Sequence, residues 1–448
     1  MQSKLQTIQI TEWTSNLKAR GYLGEKSFEF SYLGLGEEVS FVKYGKGKSS
    51  KYQIYDKKVS SHLENLKPEC KYFSECGGCR AQQIPYLKQF ELKTQEIIEY
   101  YKTTWNLMPK LLPAQDIWSY RNRMDFVVYP KKIGLHQEGN YNKIIDLEDC
   151  KIQSNRANLE LQTLRPLILN SNLPYNRKEK TGFLKYLTLR TNSEENELQT
   201  ILTFTEKFQT HPEKEIWKEK FLQTSLAEHL IFCYNRERAE VSAQGNAEVL
   251  KGNLSYTETI LGKKFQVPFD GFFQPNPKGF LPILKFIDQE IQTCKEETLV
   301  DLFCGSGFFS LIFGDYFKKI IGYDITHTAI EKANFLLKEN FPQKEISFEV
   351  KDLYALKEEF FLKQEIFCNS LFIVDPPRNG LGKKLTKIFK ESFVKKIIYV
   401  SCNPYSQIND LEELKKIYFP KSIFITDPYP HTPHLESVLI LEKKDEIS

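Results

Sequence analysis

Read for the alternation of apolar and polar positions, the chain changes period three times. The runs Leu5 to Ile10, Ser27 to Tyr32, Glu38 to Tyr44 and Lys51 to Lys58 are short, alternating and broken by glycine. Such spacing predicts the strands of a small β-barrel. Residues 85–105 then take helical spacing, with Leu87, Phe90, Ile97 and Ile98 assigned to one face. From Trp118 strands return: Arg123 to Tyr129, Leu184 to Thr191, Glu197 to Phe204, Leu230 to Tyr234 and Leu261 to Val267 predict a mixed, mostly antiparallel region. After Phe269 the elements alternate as helix Pro282 to Cys294, strand Thr298 to Phe303, helix Phe308 to Phe317, strand Lys319 to Asp324, helix Thr328 to Asn340 and strand Ile346 to Lys351. That cadence predicts a doubly wound parallel sheet.

Parallel sheets bind ligands at the carboxyl ends of their strands, so the residues just past each apolar run matter. Ile397 to Val400 runs into Ser401-Cys402-Asn403-Pro404, Ser370 to Val374 into Asp375-Pro376-Pro377-Arg378, and Thr298 to Leu302 into Phe303-Cys304-Gly305-Ser306-Gly307. Taken alone, Cys402 reads as a packed core thiol, since free cysteine is among the most buried residue types. With two other polar or glycine-rich strand ends beside it, it reads as part of a site.

Gly305 and Gly307 stand in the first strand-to-helix turn, where missing side chains let the backbone approach a ligand. Asp324 closes the next strand, 17 positions past Gly307, where a carboxylate can accept both ribose hydroxyls. A nicotinamide dinucleotide would want glycine or alanine at the position held by Ser310. With Asp352 ending the third strand within reach of an adenine, S-adenosylmethionine fits better.

A length of 448 residues points to two or three domains. No apolar amino-terminal segment resembles a signal peptide and no run approaches the roughly 18 apolar residues of a membrane span, so a cytoplasmic protein is expected. The net charge of +4 says little by itself. Its distribution says more: Lys43, Lys46, Lys48, Lys51, Lys57 and Lys58 face a single acid, Asp56, and interleave with Tyr44, Tyr52 and Tyr55. On a barrel of the oligonucleotide-binding type such a stripe binds single-stranded nucleic acid; the competing reading is a solvated charged face. Arg121, Arg123 and Arg190 are further candidate RNA contacts, against ordinary surface charge. Nine cysteines in a cytosolic chain point to metal or catalysis rather than disulfides. Cys70, Cys76, Cys79 and Cys150 could offer four thiolates to a zinc ion or an iron–sulfur cluster. Their Cys-x5-Cys-x2-Cys start departs from the spacing of radical enzymes and lacks the second close pair of a zinc ribbon.

The set Phe273-Gln274-Pro275-Asn276, Asp301-Leu302-Phe303-Cys304-Gly305, Asp375-Pro376-Pro377-Arg378, Ser401-Cys402-Asn403-Pro404 and Pro430-His431-Thr432-Pro433-His434-Leu435-Glu436-Ser437-Val438 resembles the RNA uracil-5-methyltransferase family. The four cysteines resemble those of its ribosomal-RNA members that hold a [4Fe-4S] cluster, and residues 1–60 resemble their TRAM RNA-binding barrel. The resemblance runs over the whole chain. It implies a TRAM or oligonucleotide-binding-like barrel at 1–62, a mixed α+β central domain with the iron–sulfur cysteines at 63–265, and a class I, Rossmann-like methyltransferase domain at 266–448. By the same resemblance Gln274, Phe303, Gly305, Gly307, Asp324, Asp352 and Asp375 line the S-adenosylmethionine site, Cys402 is the nucleophile and Glu436 the base. The implied substrate is a uridine of 23S rRNA, with a T-loop uridine of tRNA as the alternative. Phe272, Arg121, Arg123, Arg378, Lys46 and Lys48 are the expected RNA contacts, no membrane is involved, and a monomer is expected. Two departures stand out: some relatives carry asparagine where this chain has Phe308, losing a cofactor contact, and commonly glutamate where it has Asp324, shortening one.

The chemistry explains the residue types. Carbon 5 of uracil is a poor nucleophile until a thiolate, which adds well and leaves readily, bonds to carbon 6. A base must then take the carbon 5 proton so that the thiol is expelled, the part assigned to Glu436 against the reading of a surface glutamate. Phe272 or Phe273 could stack on a base drawn out of its RNA, with core packing as the competing role, and His431 and His434 are expected to shape their loop. Two other functions compete: an amino-group methyltransferase, which shares an acid-Pro-Pro loop but needs no cysteine, and an RNA-binding iron–sulfur protein without turnover. Cys402 together with Glu436 favours the first reading over both.

Overall fold

The computed structural model describes residues 5–44, 51–59, 62, 64–357, 360 and 365–444. Strands β1 (Gln6–Trp13), β2 (Ala19–Leu23), β3 (Lys26–Phe30), β4 (Glu38–Tyr44) and β5 (Lys51–Lys58) form an antiparallel sheet in the order β3-β2-β1-β4-β5. The sheet curls until its two outer strands meet through side chains: the ring of Tyr52 on β5 lies 5.9 and 5.3 Å from those of Phe28 and Phe30. Tyr52 is therefore a core residue, whereas Tyr44 and Tyr55 are exposed with hydroxyls 2.8 Å apart. The lysine stripe is less free than its composition suggests, because Lys57 and Lys58 pair with Glu37 and Glu38 at 3.0 and 2.6 Å. Lys46 and Lys48 lie outside the described residues.

Helix α1 (Tyr86–Trp105) and the short β6 (Lys110–Leu112) come next. The buried positions of α1 are Gln89, Phe90, Leu92, Lys93, Thr94, Ile97 and Tyr101, and Leu87 is 70% exposed. The expected face is thus turned: Phe90, Ile97 and Tyr101 pack into the core of the carboxyl-terminal sheet, Leu92 into the core of the curled sheet beside Ala81 and Ile84. Wedged between two cores, the helix buries polar residues that periodicity alone assigns to solvent.

The central sheet has the order β13-β12-β11-β10-β7-β8-β9. Its strands are β7 (Arg123–Tyr129), β8 (Lys132–Gln137), β9 (Asn140–Asp146), β10 (Leu184–Thr191), β11 (Leu198–Thr205), β12 (His229–Asn235) and β13 (Asn246–Lys251). Helices α2 (Asn155–Leu169) and α3 (Lys214–Thr224) lie between them in the chain. All pairs are antiparallel except β11 with β12. Every residue of β10 is buried, and this corrects the reading of Arg190 as an RNA contact. Its Nη1 donates to the carbonyl oxygens of Pro268 and Phe269 at 2.8 and 3.1 Å, and its guanidinium lies 5.2 Å from the centre of the Tyr256 ring.

The hairpin β14 (Ser255–Ile260) and β15 (Lys263–Pro268) turns at Leu261 and Gly262, both at positive φ, so the strand expected from Leu261 starts two residues later. Next come α4 (Pro277–Ile291), β16 (Thr298–Leu302), α5 (Phe308–Phe313), β17 (Lys319–Asp324), α6 (His327–Asn340), β18 (Glu345–Val350), β19 (Ser370–Val374), α7 (Gly382–Glu391), β20 (Lys396–Ser401), α8 (Pro404–Leu414), β21 (Tyr418–Thr426) and β22 (Glu436–Lys443). Helix α4 starts earlier than expected because Asn276 caps it, accepting from the Gly279 amide at 2.9 Å, with Pro277 in its first turn. The sheet order is β18-β17-β16-β19-β20-β22-β21-β6. The first five strands are parallel, β22 runs against both neighbours, and β6 lies parallel to β21 at the edge. This is the parallel-rich Rossmann-like sheet read from the sequence.

Arg190→Met should lower the urea midpoint by an amount equal to about 2–6 kcal/mol, since each of two carbonyls left unanswered costs about 1–3 kcal/mol. The salt dependence of RNA binding should not change; a lost phosphate contact would reduce its logarithmic slope by about 0.7–0.9.

Candidate active site

Strand register builds the first half of the site. One position beyond the paired residues Leu302, Tyr323 and Val374 stand Phe303, Asp324 and Asp375, side by side at the carboxyl edge. Phe303 takes a φ of 60°, which turns the chain sharply into the glycine loop. The Gly305 and Thr326 amides donate to the two carboxylate oxygens of Asp324 at 3.0 and 2.8 Å. The two glycines differ in purpose. A side chain at Gly305 would enter open space, whereas one at Gly307 would press on Leu337 and Ala333 of α6 at 3.1 and 3.4 Å. Ser310 donates through both its amide (3.2 Å) and its hydroxyl (2.7 Å) to the buried Asp301, tying α5 to β16. Burial, with the nearby Asp324 carboxylate, pushes Asp301 up to about 7 despite those bonds.

Asp352 is exposed and accepts from the Tyr354 amide at 3.0 Å; the Tyr354 ring lies 5.5 Å from Phe303. Gln274 is half-buried, next to Pro275, whose carbonyl takes the Asn122 amide at 2.9 Å. Phe308 packs with Phe265, Phe273 and Phe280 at 5.3–5.9 Å between centroids. An aromatic cluster therefore stands where some relatives carry a polar contact, and Phe273 belongs to that cluster.

The second half comes from the antiparallel ladder. The last pair between β20 and β22 is Ser401 with Ser437, so Cys402 and Glu436 stand one position past it, near enough for the Glu436 carboxyl to act on the thiol. Cys402 is half-buried and Glu436 is 4% exposed. Burial, then the Glu436 and Asp375 carboxyls, push the Cys402 thiol up to about 11, with Arg378 pulling the other way. Burial and Asp375 likewise hold Glu436 well above the carboxylate range, and burial with Asp301 lifts Asp375 to about 7. A thiol and a carboxyl so placed can add to and deprotonate adjacent atoms of one planar ring.

The loop between β21 and β22 holds residues that sequence reasoning missed. Tyr429 is half-buried, and the charges that act on it are those of Glu436, Arg121, Cys402 and Asp375. Lys93 and Asp427 form a buried pair at 2.5 Å. The only sequence signal for either was the Asp427-Pro428-Tyr429-Pro430 run just ahead of the histidines. Burial lowers both His431 and His434 to about 4, so each is neutral at pH 7.

Cys70, Cys76, Cys79 and Cys150 are half-buried and line one cavity of about 180 Å3 together with Tyr72, Phe73 and Arg121. Burial raises all four thiols, Cys150 to about 11. They wall the cavity rather than converge: among the described residues no three His, Cys, Asp or Glu side chains are grouped closely enough to hold one metal ion.

Of the expected RNA contacts, Phe272 is 76% exposed and Arg378 is exposed, with its Nη2 3.4 Å from His434 Nε2. Arg121 lies between the cysteine cavity and Tyr429. Arg123 is already engaged, donating twice to Asp125 at 3.0 and 3.1 Å and once to the Gly271 carbonyl at 3.4 Å.

Residues 85–444 match the family described as tRNA (Uracil-5-)-methyltransferase. An uncharacterized RNA methyltransferase of Leptospira interrogans serogroup Icterohaemorrhagiae serovar copenhageni is 44% identical, covering 99% of this chain and 97% of the relative. The tRNA (uracil(54)-C(5))-methyltransferase of Pyrococcus horikoshii is 29% identical over 93% of this chain and 96% of its own. The fold matches the crystal structure of Pyrococcus abyssi tRNA (uracil-54, C5)-methyltransferase in complex with S-adenosyl-L-homocysteine. The TM-score is 0.74 at 22% identity, covering 97% of this chain and 100% of that one.

Alkylation of Cys402 in the free protein, monitored by mass spectrometry of its peptide, should rise about tenfold per pH unit and still be rising at pH 10. A plateau near pH 9 would mean that neither burial nor the acids around it raise the thiol. Arg378→Met should slow the reaction at every pH below the plateau.

Proposed function

The chain belongs to the tRNA (uracil-5-)-methyltransferase family, and on that premise we propose that this RNA methyltransferase modifies carbon 5 of one uridine through a bond from Cys402 to carbon 6. The observation that carries the reading is that Cys402 and Glu436 stand one position past the last pair of β20 and β22, where the Glu436 carboxyl acts on the thiol. The Cys402 thiolate adds to carbon 6, the enolate-like carbon 5 attacks the methyl group so that the donor leaves as S-adenosylhomocysteine, Glu436 takes the carbon 5 proton, and the 5,6 double bond returns as the thiolate is expelled. Gln274, Phe303, Gly305, Gly307, Asp324, Asp352 and Asp375 would hold the methyl donor. The open space at Gly305, bordered by Asp324, suits a ribose, and a sulfonium charge beside Asp375 would favour the ionised forms of Glu436 and Cys402. Phe272, Arg121 and Arg378 would meet the RNA around the extruded base.

The four cysteines are assigned a [4Fe-4S] cluster. Four thiols walling one cavity suit a multinuclear group better than a single zinc, which wants all its ligands at about 2.0–2.3 Å. Bound there, the cluster would tie residues 70–79 to Cys150, and no step of the methyl transfer is routed through it. The RNA assigned is 23S rRNA, on the resemblance of the four cysteines and the amino-terminal barrel to those of ribosomal-RNA members. A second reading, tRNA, is favoured by the whole-length match to the tRNA (uracil-54, C5)-methyltransferase of Pyrococcus abyssi.

Glu436→Gln, incubated with S-adenosylmethionine and either RNA, should accumulate a denaturation-resistant, already methylated protein–RNA adduct on the true substrate. Its product release should fall by about 10²–10⁴-fold, and Cys402→Ala should form no adduct. Normal turnover by Glu436→Gln would remove Glu436 from the mechanism, and an adduct on tRNA alone would decide the substrate. Anaerobically purified protein should be brown, and Cys76→Ser should lose most of its iron and sulfide. One zinc and no iron after reconstitution without air would end the cluster assignment.

A further inference from the structure

Residues 427–435 connect β21 to β22 and end on Glu436. Five of the nine carbonyls on that path are answered from outside it. Asn276 donates to Pro428, Tyr120 to Pro430 and the Arg80 amide to His431, at 2.8, 2.9 and 2.7 Å. Gln89 accepts from the His431 amide at 3.0 Å and is itself fixed by the carbonyls of Ala81 and Ile84 at 2.9 and 2.8 Å. The segment is thus a fixed mount and not a lid.

One side chain spans the mount. Lys93 has three donors and three acceptors: Asp427 Oδ2 at 2.5 Å, the Thr432 carbonyl at 3.1 Å and the His434 carbonyl at 3.1 Å. Its side chain is 1% exposed. A buried ion pair is no cheap way to fill space, and apolar residues of similar volume often stabilise as well or better. What an apolar residue cannot do is join the two ends of a loop. Asp427 comes directly after Thr426, the residue paired with Glu436, and His434 stands two positions before Glu436.

We propose that Lys93 is a positioning residue for proton abstraction: from α1 it staples the two ends of this loop and thereby fixes the carboxyl group of Glu436. The proposal rests on the reading of Glu436 as the base. It has a specific kinetic signature. Formation of the Cys402 bond and methyl transfer use groups that Lys93 does not touch, so a displaced base slows only the release of product.

Lys93→Met removes the ammonium and keeps the stem; adding Asp427→Asn removes the carboxylate left unpaired, so the double variant carries the test if the single one does not fold. In single turnover with S-adenosylmethionine and substrate RNA, the folded variant should methylate at close to the wild-type rate. Product release should fall by about 10²-fold, the cost of a ~1 Å misplacement, and methylated adduct should build up. Lys93→Arg, which keeps donors at the site, should recover part of the release rate. Equal slowing of both steps, or unchanged release, overturns the positioning role. Glu436→Gln run in parallel separates the two ideas: no adduct there defeats the base assignment itself, whereas adduct there and none in the lysine variants defeats only the role of Lys93.

Discussion

The site depends on one reversal of strand direction. A purely parallel sheet sets carboxyl end beside carboxyl end, and neighbouring strand tips then carry loops that leave in the same direction. Inserting β22 antiparallel beside β20 pairs Ser401 with Ser437 at the end of the ladder, so Cys402 and Glu436, 34 positions apart in the chain, both stand just past that pair. The ladder hydrogen bonds hold that pairing with a precision a pair of free loops could not supply.

The same crowding sets the electrostatics. Asp301, Asp375 and Glu436 crowd the carboxyl end of the sheet, and burial raises all three acids. Arg378 is the cation acting on both Cys402 and Glu436, and it is exposed. In the absence of a positively charged partner the edge favours protons on its acids and on the thiol.

Much of this was legible in the chain. The alternation of helix and strand after Phe269 gave the parallel sheet, and the chemistry at three strand ends drew attention to Cys402; Glu436 entered only through the family resemblance. What stayed hidden was hidden for physical reasons. Period-2 alternation identifies a strand covered on one face, so Arg190 on a strand buried on both faces looked like surface charge. The polar stripe of α1 looked solvated because its partner lies far along the chain, and Tyr52 looked like part of a binding face because sheet curl is not written in alternation. The cysteine grouping was readable as donors; their arrangement around a cavity was not.

The Lys93 to Asp427 contact spans 334 positions, and that separation has a consequence for biogenesis. A chain emerging from the ribosome folds its amino-terminal units first, so the curled sheet, α1, the central sheet and all five parallel strands can be in place before Asp427 has been made. Until then the ammonium on α1 has no counter-charge and Cys402 has no opposing carboxyl. A chain that stops before Asp427 therefore leaves the Lys93 ammonium without the carboxylate that pairs with it in the finished core.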